Sequence, residues 1–297
     1  MFEDIRKNKI KSGFIIFCFL VFVSLIVYYI CLAFDFSGPA ALFIAFVFSI
    51  FTTGVSYYNS DKIILKTSGA RPATLEEDRK LVHILEALMV SSGLPHQPRL
   101  YVIDSDQPNA FATGRNPENA IICVTTGLLN MMSYYELEGV IAHEMSHIKN
   151  YDIMLSCVVS VLVGFVVMLS DIFSRRFIRS SRDNDDSNGS AILMIVGFVC
   201  LLLAPLLGQL MQLALSRRRE FLADATSVEF TRNPEGLISA LRKLDSDNHT
   251  LDSANNATAH MYIVNPFKSA NGERKRASLF STHPSIEDRI AALQNLE

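Results

Sequence analysis

Two histidines, His143 and His147, stand four residues apart in GVIAHEMSHIKNYD (139–152), with Glu144 directly after the first. On a helix that spacing puts both imidazoles on one face about a turn apart, the separation two nitrogens need to share one Zn²⁺ at roughly 2.0–2.1 Å each. Glu144 leans to the side, where it can act as general base on a water that the ion has acidified toward a pKa of about 7. A catalytic zinc takes a third protein ligand and keeps a position open. RRREFLADA (217–225) offers Glu220 and Asp224, again four apart. Glu220 can complete a His₂Glu set, and Asp224 can accept the second N–H of a ligand histidine and fix its tautomer. Both carboxylates could equally be partners of Arg217, Arg218 and Arg219 on a solvated face. His283, in FSTHPSIEDRI (280–290), is a further candidate: a ligand, a donor to an oxyanion, or simply the residue before a helix-starting Pro284. His83, His96, His249 and His260 have no motif around them and read as surface or packing residues.

The elements that must carry these groups leave their own marks. Ser133 opens a capping box, S-Y-Y-E ending at Glu136, and Leu137, Val140, Ile141, Met145 and Ile148 follow as one buried helical stripe. Thr74 opens another, T-L-E-E ending at Glu77, ahead of Leu81, Ile84, Leu85 and Leu88 and a stop at Gly93. RLYVID (99–104) and AIICVTT (120–126) are β-branched and apolar, as strands should be, and PNAFATGRN (108–116) between them reads as a short edge strand or a loop. Residues 59–152 thus form an αβα region, and 217–297 a second block with helices at 217–230, 234–245 and 285–296 and a long loop near 246–276.

Of the 297 residues, 49% are hydrophobic, and the excess sits in four uncharged stretches, 13–34, 38–58, 153–170 and 191–216. Each meets or approaches the roughly 20 apolar residues that cross a bilayer as a helix. The first is too long for a signal-peptide core and is followed at once by the second, so it reads as an uncleaved anchor. Arg6, Lys7, Lys9 and Lys11 put the N-terminus in the cytoplasm, and the hairpin returns the chain there. Arg175, Arg176, Arg179 and Arg182, in the loop 171–190, fit an outside location poorly, so the third and fourth stretches either span or, without crossing, lie buried in the protein or only dip into the membrane. In both cases the two polar blocks share one side. If the flanking helices run on unbroken, the metal lies within roughly 10 Å of the apolar segments at 1.5 Å per residue. The expected architecture is an integral membrane protein, mainly α, with four hydrophobic helices and a zincin-like α+β catalytic domain with a small sheet, built from two chain segments. A net charge of −3 without a basic block argues against nucleic acid. The five cysteines form no C-x-x-C pair, so they read as small buried hydrophobes rather than disulfides or thiolate ligands.

With the N-terminal hydrophobic hairpin, PNAFATG (108–114), HEMSH (143–147), RREFLADA (218–225), MYIVNPF (261–267) and FSTHPSIEDRI (280–290) in order, the chain resembles the HtpX family of membrane zinc metalloproteases, relatives of the CAAX prenyl endoproteases. The resemblance implies one Zn²⁺ per chain held by His143, His147 and Glu220, with Glu144 as base. Asp224 matches the acidic residue one turn after the glutamate ligand, His283 the histidine that meets the oxyanion or substrate, and Arg289 a basic residue that supports it. Asn109, Ala110, Phe111 and Ala112, in the segment running to Gly114, match an edge strand on which an extended substrate pairs, a mode that reads backbone and tolerates many sequences. The family further implies a multi-pass protein of the bacterial inner membrane with a cytoplasmic active site. Its substrates would be polypeptides, above all damaged or misassembled membrane proteins under stress, and its surroundings the lipid bilayer. A homo-oligomer is allowed but not required. A metal-stabilised membrane adaptor without turnover, or a processing protease of narrow specificity, are the alternatives; Glu144 argues against the first, since a structural zinc needs no base and closes its fourth position with protein.

Overall fold

The computed structural model describes residues 2–33, 36–160, 164, 217–247, 262–263 and 284–296. Two long helices open the chain, α1 (Phe2–Ala33) and α2 (Gly38–Tyr58), joined by a short turn with Pro39 in the first turn of α2. Within them Arg6–Tyr29 and Gly38–Tyr58 are long and apolar enough to cross a membrane. Their outward faces carry Phe14, Phe17, Leu25, Leu42, Phe43, Phe46 and Phe51, all exposed. That is the reverse of a soluble helix and suits contact with lipid. Between the helices sit small residues, Ala41, Ala45 and Ser49, and a hydrogen bond of 2.6 Å joins the Ser24 and Ser49 hydroxyls. Small side chains allow the close approach that packing inside a bilayer depends on. Cys18 is exposed on this hairpin, contrary to the expectation that every cysteine is buried, whereas Cys31, Cys123 and Cys157 are buried.

A short helix α3 (Ser60–Ser68), which the sequence did not signal, follows Asn59 and ends at Gly69 in the left-handed conformation, φ 65°. The sheet has the order β1-β2-β4-β3, from β1 (Arg71–Pro72), β2 (Arg99–Ile103), β3 (Ala110–Thr113) and β4 (Ile121–Thr125). β2 and β4 are parallel and the two outer strands antiparallel. The segment 108–116 therefore resolves into an edge strand with flanking loop. Helix α4 starts at Arg79 and runs to Ser92. The expected capping box at Thr74 is a turn ahead of that helix: Thr74 Oγ1 does accept the Glu77 N–H at 3.3 Å, but the Asp78 carboxylate accepts the Thr74 N–H at 3.0 Å and the helix begins after Asp78.

After α5 (Thr126–Met131) comes α6 (Tyr134–Lys149), whose capping box is present, with the Ser133 N–H donating to Glu136 Oε2 at 2.8 Å. Its apolar stripe was expected to be the only buried face. Instead Gly139, Ala142 and Ser146 are buried as well, because α6 is the central helix, enclosed by β3, β4, α4 and two later helices, α8 (Arg217–Thr231) and α9 (Pro234–Ser246). At Gly139 a Cβ would lie 2.8 Å from the Leu237 backbone nitrogen, so glycine is what lets α9 pack this closely. Glu136 fastens the same pair, accepting from Ser239 Oγ at 2.6 Å and Lys243 Nζ at 2.7 Å.

Helix α6 does not run on into the third apolar stretch. Tyr151 takes a left-handed φ of 60° and a new helix, α7 (152–160), begins beyond it. Leu155, Val158 and Val159 of α7 pack on Ile15, Phe19 and Val23 of α1. The rest of the third stretch apart from residue 164, the arginine-rich loop, the whole fourth stretch and nearly all of the 246–276 loop lie outside the described residues. A last helix, α10 (Ile286–Gln294), packs on α8 and α9.

Candidate metal centre

Helix α6 presents His143 and His147 with their Nε2 atoms 3.2 Å apart, and α8 places Glu220 Oε2 3.7 Å from His143 Nε2 and Glu220 Oε1 3.7 Å from His147 Nε2. The three ligand atoms lie within 4.8 Å of one another. Two nitrogens each 2.0–2.1 Å from one zinc lie about 3.3 Å apart at a tetrahedral angle, so the donor set fits such an ion. Both outer nitrogens are engaged, which turns both Nε2 lone pairs inward. His143 Nδ1 lies 2.9 Å from Asp224 Oδ1, and His147 Nδ1 lies 3.1 Å from Asp152 Oδ2. Carboxylates in that position orient a ligand imidazole and raise its basicity.

The polar residues here are not on a solvated face. Glu220 and Asp224 are 3% and 1% exposed, which decides against simple pairing with Arg217, Arg218 and Arg219 in water. Their cation is Arg289 of α10, itself 1% exposed: Nε and one terminal nitrogen form a bidentate pair with Asp224 at 2.9 and 2.6 Å, and the other terminal nitrogen lies 4.0 Å from Glu220. Burial works to raise the Asp224 carboxyl, but Arg289 and His143 more than offset it and hold it below its ordinary range. Glu144, 2% exposed, lies against Ala112 of β3. Burial, with the Glu220 charge nearby, pushes its carboxyl up to about 7, against the opposing pull of His147 and of the Ala112 backbone N–H that donates to it.

A profile of peptidase family M48 matches residues 75–297. The chain belongs to this family. Its HtpX resemblance, read from the motifs, is borne out: the protein named "Protease HtpX homolog" in Dictyoglomus thermophilum is 45% identical over 99% of this chain and 94% of its own length. The one of the same name in Streptococcus gordonii is 40% identical over the whole of both. The crystal structure of S. mikatae Ste24p aligns with a TM-score of 0.52 over 97% of this chain and 66% of that one, at 20% identity, a likeness of fold. This M48 peptidase is thus a metalloprotease, mainly helical, with a small mixed sheet and two helices fit to cross a membrane.

In the peptidase, the four residues expected to pair with substrate sit on or beside β3. Asn109 Oδ1 accepts the Ala110 N–H at 3.1 Å, and the Ala110 carbonyl accepts the N–H of Ile263 at 3.0 Å, so that rung of the edge is filled by the chain itself. Phe111 is buried in edge contact with Tyr262, their rings 4.9 Å apart. Ala112 is the rung beside Glu144. His283 lies outside the described residues, as do His249 and His260; His83 and His96 are exposed. Arg289, expected to support His283, is found against Asp224 and Glu220. Asp152 was missed in the sequence. It follows the helix end by three residues, and only the left-handed turn at Tyr151 swings it back to His147, a geometry that no spacing rule reports.

Proposed function

We propose that this chain is a zinc-dependent endopeptidase of the bacterial inner membrane, cutting damaged or misfolded membrane proteins on the cytoplasmic side. The observation that carries this is the convergence of His143, His147 and Glu220 next to the buried carboxylate of Glu144. His143, His147 and Glu220 would hold the ion, which when bound polarises a scissile carbonyl and makes water acidic near neutral pH. Glu144, poised near 7, takes the proton from the attacking water and delivers it to the leaving amine. The Ala112 N–H fixes the Glu144 carboxylate, and an extended substrate adds along β3 through the Ala112 carbonyl, beyond the rung occupied by Ile263. Asp224 and Asp152 orient the two imidazoles, and Arg289 balances the charge of Asp224 and Glu220. His283 would supply the donor to the oxyanion. The catalytic domain combines 59–152 with 217–297 around a multi-pass membrane part of four apolar segments, and basic residues at the start of α1 hold that end in the cytoplasm.

The test is cleavage of casein by detergent-purified protein with zinc, beside Glu144→Gln, with metal content measured on both. Equal zinc and a loss of about 10²–10⁴-fold in cleavage by the variant is expected for removal of a general base. Equal zinc and no cleavage of casein or of membrane-protein substrates by the wild type would sink the endopeptidase assignment in favour of an adaptor.

A further inference from the structure

Asn8 is a polar residue near the start of a helix whose neighbours Lys7 and Lys9 would ordinarily sit in water, yet it is only 4% exposed. Both hydrogens of its side-chain amide are used at the metal centre's margin. One goes to the carbonyl of Asn150, at the end of α6, at 3.2 Å, and the other to Asp152 Oδ1 at 2.8 Å. The other oxygen of Asp152 is the one that meets His147. The next residue of α1, Lys9, places its ammonium 4.3 Å over the ring of Tyr151, the residue whose left-handed backbone turns Asp152 back toward the histidine. Two consecutive residues of the first helix therefore grip three consecutive residues of the turn, 150–152. A bulky side chain rarely adopts φ 60° unless its surroundings impose it. On the far side Arg219, adjacent to Glu220, donates to Asp152 Oδ1 at 3.2 Å, so Asp152 is where α1, the end of α6 and the start of α8 meet.

We propose that Asn8 is a positioning residue of the metal centre: through Asp152 it holds the His147 imidazole in its ligand orientation, so that this one side chain of the first membrane helix contributes to how tightly the ion is held. His143 is oriented from within the catalytic block, by Asp224 and Arg289. His147, whose side chain is 16% exposed against 1% for His143, depends on a support that reaches it from the membrane hairpin. The proposal rests on His143, His147 and Glu220 being the metal ligands.

The experiment uses the full chain in detergent. Zinc affinity is measured by competition with a chelator, and the absorption spectrum of the Co²⁺-loaded protein reports ligand geometry. Loss of an outer partner of a ligand histidine costs roughly 10–100-fold in metal affinity. Asp152→Ala should fall in that range, and Asn8→Leu near its lower end, about tenfold, with an altered cobalt spectrum, because Arg219 still holds Asp152. Asn8→Leu added to Asp152→Ala should weaken binding no further, since Asn8 acts through Asp152. Val23→Ala, which loosens the packing of α1 on α7 far from Asp152, should bind zinc as the wild type does. Asn8→Gln, keeping the amide but shifting it by one methylene, is held to the same criterion should Asn8→Leu not accumulate. Wild-type affinity and spectrum in the Asn8 variants, or equal weakening by Val23→Ala, would overturn the proposal. Wild-type zinc affinity in His147→Ala would overturn the ligand assignment and the proposal with it; loss there together with an unaffected Asn8→Leu overturns the proposal alone.

Discussion

Arg289→Leu tests whether the buried charges behind the candidate metal site balance one another. Arg289 is the cation shared by Asp224, at 2.6 and 2.9 Å, and Glu220, at 4.0 Å, and all three are buried. With an effective dielectric of about 20, the attraction is about 6 kcal/mol for the first pair and about 4 kcal/mol for the second, before the cost of stripping water from the ions. Most of that gross figure is cancelled by desolvation. Removing one partner, however, leaves the others buried without compensation, and the penalty is about 3–5 kcal/mol. In the zinc-free protein the substituted leucine would leave two buried carboxylates facing each other. With an unfolding entropy of about 2.1 cal/mol/K per residue, a chain of 297 residues loses roughly 1.6 °C in Tm per kcal/mol, so the stripped variant should melt about 5–8 °C below the stripped wild type. A divalent cation held by His143, His147 and Glu220 as proposed would supply positive charge to Glu220 directly and to Asp224 through His143, so saturating zinc should recover about half of the deficit. Arg289→Lys, which keeps the charge but not the bidentate fork, should fall between the two. Thermal melts with zinc and with chelator read all of this. Equal melting of stripped wild type and Arg289→Leu would refute the charge balance, and an equal deficit with and without zinc would refute the link to the metal.

Glu136 gives a pH dependence of known sign. Burial works to raise its carboxyl, but Lys243, Ser239 and Ser133 outweigh it and bring it down to about 2. A depressed acid contributes stability that is present above the unfolded value, near 4.5, and is lost as pH falls toward 2. The shift alone would be worth about 3 kcal/mol; since Lys243 is 42% exposed, about 2 kcal/mol is the better expectation. Glu136→Gln should therefore be less stable than wild type at pH 7 and converge with it near pH 2 in denaturant titrations, whereas a constant gap across that window would contradict the assignment. Gly139→Ala should destabilise by about 1–3 kcal/mol despite alanine's better helix propensity, because its methyl meets the Leu237 backbone of α9; a rise in Tm would mean that α6 and α9 can part at little cost.

What the sequence revealed, it revealed through spacing. Histidines four apart, carboxylates four apart and a serine three residues ahead of a glutamate each encode one turn of helix, and α6 and α8 turn those intervals into a donor set. The two capping patterns show where such reasoning fails. Ser133 and Thr74 have the same local signature, yet at Thr74 the Asp78 carboxylate, also bound by Arg71 of β1 at 2.9 Å, takes the N–H and delays the helix. That competition comes from a strand of two residues, one a proline, for which no pattern exists. Likewise Arg289 and Asp224 are 65 residues apart, and Asn8 and Asp152 are 144 apart. Spacing rules describe a single element, and these pairs are created by packing between elements.

The broken helix also changes why the metal centre lies near the apolar segments. Sequence reasoning placed it there by assuming that α6 runs on into the third stretch, and it does not. Asp152, however, is both the first residue of α7 and the partner of His147. Six residues on, Val158 packs on α1 inside the Arg6–Tyr29 span. At 1.5 Å per residue that separation is about 9 Å, close to the distance a continuous helix would give but reached through a hydrogen bond and a new helix. With His147 as a ligand, as proposed, a site so tied to a candidate membrane helix would suit chains that emerge from the bilayer, because only a few extended residues, each spanning roughly 3.3–3.6 Å, would bridge the gap from lipid to metal.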